Sequence, residues 1–238
     1  MSVTFPHRPA IVVLLLGMMI EPGVRAIAPD HAEHSIRQFL AQDDEPHSYR
    51  ATRRLEAANG SRRGWIEAST EFSPRTGFHY EVTAEGGSSY IRTKVLRALL
   101  DGERDAIAHG ETGRAALALS NYAFQANGMD AEGLANVLLS PRREDRLLVS
   151  GTMFLRPGDG ELVRLQGRLA KSPSFWVKSV SLVRSYERIE GVVLPVGLES
   201  KAQLRMLGSA TLHMAYEYSE IDGHPVAPPQ LAHSRSLR

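Results

Sequence analysis

Cysteine is absent from this 238-residue chain. That excludes disulfides, and it excludes a lipid-bearing cysteine behind an export signal. Charge of one sign is lacking too, since 28 basic residues stand against 27 acidic ones. Nothing in that balance favours nucleic acid as a partner. There is no P-loop, no dinucleotide fingerprint and no serine in a nucleophile-elbow pattern. A long hydrophobic run is also missing. The longest, residues 10–20, is well short of the roughly 20 apolar residues a membrane span needs. Internal repeats, domain linkers and low-complexity segments are absent, so a single domain is the economical reading.

What is present begins at the N-terminus. His7 and Arg8 precede the apolar run, and Val24-Arg25-Ala26 follows Pro22-Gly23. A weakly basic start, a short apolar stretch and small residues at the last and third-last positions read as a secretory signal peptide, residues 1–26. Cleavage after Ala28 is a second reading, disfavoured by Pro29; a retained membrane anchor is a third. Removing residues 1–26 takes Arg8, Arg25 and Glu21 from the charged set and leaves the two signs equal. The mature chain is then expected to be soluble, exported to the periplasm and not lipidated, with no transmembrane segment. Hydrophobic residues make up 42%, enough for a sizeable core without disulfides.

Asp30 and Glu33 match a capping box, and Ile36, Phe39 and Leu40 make an apolar stripe, so the spacing predicts a helix over 31–42. Alternating strands follow from Tyr49, turning at Asn59-Gly60, where both residues tolerate positive φ. Asn59-Gly60-Ser61 also matches a glycosylation acceptor, but the turn explains it. The return strand covers 65–72, and a third runs from Phe78 to Ala84. Ile91, Val95 and Leu99 then show helical spacing over about 88–108, ending at Gly110. Residues 115–119 fit one further helical turn. Strands resume at Tyr122 and at 135–139.

Residues 147–188 read as three strands turning at Pro157-Gly158-Asp159-Gly160 and Lys171-Ser172-Pro173-Ser174. Val163, Leu165, Gly167 and Leu169 alternate with Arg164, Gln166 and Arg168. Parity places Trp176 inward with Val180 and Leu182, and Phe175 at the rim. The strands at 198–206 and 210–219 turn at Gly208-Ser209. From Asp222 the apolar pattern stops among Pro225, Pro228 and Pro229, so residues 222–238 are expected to be a disordered tail. The sum is a mainly β (α+β) fold of about ten strands over residues 27–221. Such a sheet either curls around its helix or closes into a barrel with the helix at its mouth.

Candidate chemistry is thin. His31 and His34 share a helix face with Glu33 nearby, but no third ligand accompanies them, so a solvated helix start explains them and no metal is expected. Glu144-Asp145 and Asp101-Glu103 read as surface acids. Arg53-Arg54 and Arg62-Arg63 fit either an anionic headgroup or a solvated outer face. No catalytic residue set assembles, and no cofactor is expected; a non-enzymatic protein follows. The rings Phe78, Tyr80, Tyr122, Phe124, Trp176, Tyr216 and Tyr218 lie on faces that otherwise carry Val, Leu and Met. Singly each is explained as core. As a set, with Ile91, Val95, Leu99, Val163, Leu165, Leu169, Leu204, Leu212 and Met214, they could line a cavity for an apolar ligand.

The order of elements (signal peptide, short helix, three-strand meander, helix, long run of strands) resembles the LolA/LolB-like family of periplasmic lipoprotein carriers. Residues 142–151, Leu165-Gln166-Gly167-Arg168-Leu169 and the Pro173-Ser174-Phe175-Trp176 turn resemble its outer-membrane lipoprotein-sorting-like branch. The resemblance implies a strongly curved, unclosed antiparallel β-barrel with a helical plug or lid. It also implies lipid or lipoprotein acyl chains as partners and binding rather than reaction. The competing expectation is a non-catalytic structural or interaction module of the envelope, with a filled core and an envelope protein as partner.

Overall fold

The computed structural model describes residues 29–42, 46–206 and 208–227. The expected signal segment lies outside the described residues, as do residues 228–238 of the expected tail.

The protein is one large antiparallel sheet. Helix α1 (Pro29–Ala41) leads into β1 (Tyr49–Asn59), β2 (Arg62–Ser73) and β3 (Gly77–Gly87). A helical stretch follows: α2 (Ser89–Ile91), a π-helical segment (Arg92–Arg97) and α3 (Ala98–Ala108). Seven strands complete the sheet: β4 (Tyr122–Met129), β5 (Ala135–Pro141), β6 (Val149–Leu155), β7 (Leu162–Leu169), β8 (Val177–Ile189), β9 (Val192–Leu204) and β10 (Ser209–Ile221). The spatial order is β3-β2-β1-β10-β9-β8-β7-β6-β5-β4. Two meanders are thus stitched together where β1 pairs with β10, Tyr49 opposite Ile221 and Asn59 opposite Ala210. β3 and β4 are the two free edges of this path, so the barrel is unclosed and mainly β, as expected. Asp222 and Gly223 turn the chain, and a short β11 (His224–Pro225) pairs back onto β10. The first residues assigned to the tail are therefore ordered by the sheet.

The inner face carries two separate cores. One lies under α1 and gathers Val137, Leu139, Leu148, Met153 and Leu155 around Ala32 and Tyr122. The other lies under α2 and α3 and gathers Leu55, Ile66, Phe78 and Met214 around Ile91, Leu96 and Leu100. The outer face is charged, with cross-strand pairs such as Arg50–Glu220 at 2.9 Å and Arg54–Glu67 at 3.8 Å. Strands β6 and β7 approach closely where Gly151 faces Gly167. A Cβ on Gly151 would stand 2.1 Å from the Gln166 carbonyl oxygen, and one on Gly167 2.4 Å from that of Ser150. Only residues without a side chain permit that approach.

Three expectations about faces are corrected. Of Ile91, Val95 and Leu99, the first is buried and the second packs half-buried against the same core, but Leu99 does not share their face. Ile91 to Leu96 is five residues, the spacing of the π turn between them, so Leu96 and Leu100 continue the buried stripe. Leu99 is left 40% exposed. On β7, Phe154 faces Arg164 but Leu155 faces Leu162, so Val163 is an extra, bulged residue and the buried partner of Leu165 is Leu162. Trp176 is not inward. Strand β8 starts only at Val177 and its register shifts before Ser179. Phe175 and Trp176 therefore belong to the hairpin turn, 73% and 63% exposed, their rings edge-on at 5.4 Å. In place of the helical turn expected at 115–119 there is a 3-10 turn at Thr112–Arg114, and the chain beyond it is irregular.

Candidate functional site

Beside the core under α1 the inner face is not filled. A cavity of about 890 Å³ lies there. Its floor is β7 and β8, from which Leu162, Leu165, Leu169 and Leu182 project. Val149 of β6 and Val193 of β9 extend it sideways. The opposite wall is the end of α1, with Phe39 and Leu40, and the irregular segment 112–119, with Leu117 and Leu119. Its volume falls within the roughly 300–1,000 Å³ of small-molecule sites.

Local structure places each wall. Helix α1 is seated by the β6–β7 turn: Gly160, at φ +71°, passes so close that an added Cβ would be 2.6 Å from both the Phe39 nitrogen and the Ser35 carbonyl oxygen. The Gln42 side-chain amide donates to the Asp159 carbonyl in the same turn. The 112–119 segment is fastened by Asn121, whose Nδ2 donates to the Gly113 and Ala116 carbonyls, both at 2.8 Å. Arg143 donates to the Asn121 Oδ1 at 2.8 Å. Tyr122 closes one side, its hydroxyl accepting from the Val149 amide at 3.0 Å. Burial raises the Tyr122 phenol pKa, although that bond pulls it down.

A polar belt crosses the inner face beside the cavity. Arg53 of β1 is 2% exposed and forks onto Glu103 of α3, Nη1 to Oε2 at 2.6 Å and Nη2 to Oε1 at 3.0 Å. Nη2 also donates to the Tyr49 hydroxyl at 2.8 Å. The guanidinium lies 4.8 Å from the Tyr216 ring centroid and 5.0 Å from that of Phe78, within cation–π range. Burial opposes its charge, but the Glu103 carboxylate outweighs burial and the Arg53 pKa lies above its usual value. Arg184 and Tyr186 of β8 continue the belt and both border the cavity.

Of the residues singled out in the sequence, Tyr122, Leu165 and Leu169 border this cavity. Phe124 lies behind α1, its ring centroid 6.3 Å from that of Phe39. Phe78, Ile91 and Met214 are packed into the core under α3, with Tyr80, Val95, Leu212 and Tyr216 half-buried against it. The Tyr80 hydroxyl donates to Asp101 at 2.9 Å. Leu204 is half-buried where β9 turns to β10. Val163, Leu99 and Trp176 are displaced by the bulge, the π turn and the hairpin turn described above. His31, Glu33 and His34 are exposed on α1.

Sequence reasoning read Arg53 as an anionic-headgroup contact or part of a solvated outer face, whereas it is buried inward, and it missed Arg184. A signal existed for both: Arg53 shares parity with Tyr49, Ala51 and Leu55, and Arg184 with Leu182 and Tyr186. It missed Leu117 and Leu119 because that segment has no period.

These features define a class: an open antiparallel barrel with a largely apolar chamber beside the core under its first helix. Against known proteins, the sequence matches no family model and no curated protein. Solved structures similar to it include a DUF1329 family protein from Desulfovibrio piger, 11% identical over 79% of this chain and 89% of that one, TM-score 0.39. A LolA superfamily protein from Nitrosomonas europaea is 10% identical over 80% and 92%, TM-score 0.34. MucB, crystallised in complex with MucA, is 11% identical over 83% and 98%, TM-score 0.20.

Proposed function

We propose that the protein is an exported periplasmic carrier that shelters acyl chains of a lipid or lipoprotein. The observation that carries this reading is the cavity of about 890 Å³ floored by Leu162, Leu165, Leu169 and Leu182. A packed module would fill that volume, because voids in a core forfeit both dispersion and transfer energy. Leucine side chains offer apolar contact without polar demands, which suits an acyl chain of variable length. The wall opposite is a helix end and an irregular segment, the parts of a fold that open at least cost.

Native mass spectrometry of the full chain, purified from cells that export it, tests this. The expected spectrum contains complexes heavier than the bare chain by the mass of a lipid. A spectrum of bare chain alone, together with no uptake of a neutral fluorescent alkyl probe, would overturn the carrier reading in favour of a structural module.

A further inference from the structure

Arg184 is out of place in an apolar chamber. Its Cα stands opposite Leu165 of β7 and Leu198 of β9, and its same-face neighbours are Leu182 and Tyr186. Its Nε is buried with no hydrogen-bond partner. Among the described residues it makes no ion pair. Tyr186 is its side-chain hydrogen-bond partner, the carboxylate whose charge acts on it is Glu103, and Glu103 is already held through both oxygens by Arg53. The belt therefore holds two guanidinium groups and one carboxylate. Tyr216 and Tyr186 add hydroxyls but no charge at neutral pH. A guanidinium does not shed its proton to escape burial, so one positive charge is left uncompensated beside the leucines. Buried charges are otherwise paired.

We propose that the ligand itself supplies the missing anion: the chain takes a single-tailed amphiphile with a monoanionic carboxylate head, the head on Arg184 and the tail along Leu165, Leu169 and Leu182. A carboxylate matches the planar fork of a guanidinium through two parallel hydrogen bonds. One negative charge balances the belt, whereas a phosphomonoester, at about −1.5 to −2 near neutral pH, would overshoot it; Arg146, the other cation bordering the cavity, is exposed to water and needs no partner. The assignment rests on the carrier reading and narrows it, from apolar chains in general to fatty-acid-like molecules.

Calorimetric titration of the delipidated full chain at pH 8 tests it with three ligands of equal tail: dodecanoate, dodecan-1-ol and dodecyl phosphate. Dodecanoate is expected to bind at least about tenfold more tightly than the alcohol, the return for one charge-assisted pair. Arg184→Met is expected to bring dodecanoate down to the level of the alcohol, and Arg184→Lys to retain part of the preference. Equal binding of acid and alcohol by the wild type overturns the proposal while leaving the carrier reading standing. So does tighter binding of the phosphate, or a preference that survives in Arg184→Met. If no ligand binds, the carrier reading falls and this proposal with it. Should Arg184→Met fail to fold, as circular dichroism will show, the wild-type ratio and the Lys variant decide.

Discussion

At the scale of the residue, Arg53 is the most demanding charge in the molecule. It is buried between the rings of Phe78, Tyr216 and Tyr49, and one carboxylate on a different element satisfies it. The Arg53–Glu103 pair therefore fastens α3 to β1 across fifty residues of sequence. Removing one partner of a buried pair costs more than the pair itself contributes, because the other charge stays behind. The Glu103 side chain is 36% exposed, so water shares the load. Glu103→Ala is expected to cost about 2–3 kcal/mol, less than is usual for a fully buried pair. Urea unfolding should show a lower midpoint with an unchanged slope. The double variant Arg53→Met with Glu103→Leu should recover much of that loss, since no charge is left buried. A Glu103→Ala midpoint equal to that of the wild type would mean that the pair holds nothing in place.

At the scale of the element, the seating of α1 decides whether the cavity has a wall. Two glycines of the β6–β7 turn, Gly158 and Gly160, have positive φ, and an alanine at either is strained by about 1–3 kcal/mol. They differ in surroundings: nothing lies within 4 Å of a Cβ on Gly158, whereas one on Gly160 meets the backbone of α1. Gly160→Ala should therefore release α1 while Gly158→Ala does not. Limited proteolysis checks this, with early cleavage at residues 29–42 expected in Gly160→Ala alone. Equal protection of α1 in both variants would sink the idea. The same distinction explains what was legible in the sequence. The strands were legible because alternation and turn residues such as Asn59-Gly60 are local signals. The faces were less so, because a single extra residue reverses them. The bulge at Val163 is set by its pairing with β6, and the π turn at Arg92–Arg97 by the wider hydrogen-bond spacing within the helix itself. The cavity was legible in its floor, at Leu165 and Leu169, and in one side wall, at Tyr122. Arg53 lay on the right parity, but arginine argues for the outer face until Glu103 is placed over it.

At the scale of the whole molecule, the belt makes the fold sensitive to alkali. Beside the core under α3, tyrosines of β1 and β10 pack against one another on the inner face. Tyr49 packs on Phe72 and Tyr218, and Tyr218 stacks on Tyr216, with ring centroids 5.8 Å, 5.8 Å and 6.2 Å apart. Burial pushes the Tyr49 phenol up to about 12, against a pull downward from Arg53. Burial likewise raises Tyr218, and raises Tyr216 despite Arg53 and Arg184. A phenol whose folded pKa exceeds its unfolded value near 10 holds its proton longer in the native state. Its contribution is complete below pH 10 and is lost as pH rises from about 10 towards 12. For Tyr49 alone the linkage amounts to about 2–3 kcal/mol, a sizeable share of the roughly 5–15 kcal/mol that holds a domain together. With Tyr216 and Tyr218 shifted in the same direction, unfolding should precede their ionisation. An alkaline titration followed by tyrosine difference absorbance and by far-ultraviolet circular dichroism is expected to show both signals breaking together above pH 10. Smooth ionisation of every tyrosine near pH 10 with the circular dichroism intact would show that the belt is open to water and that these buried phenols hold nothing in place.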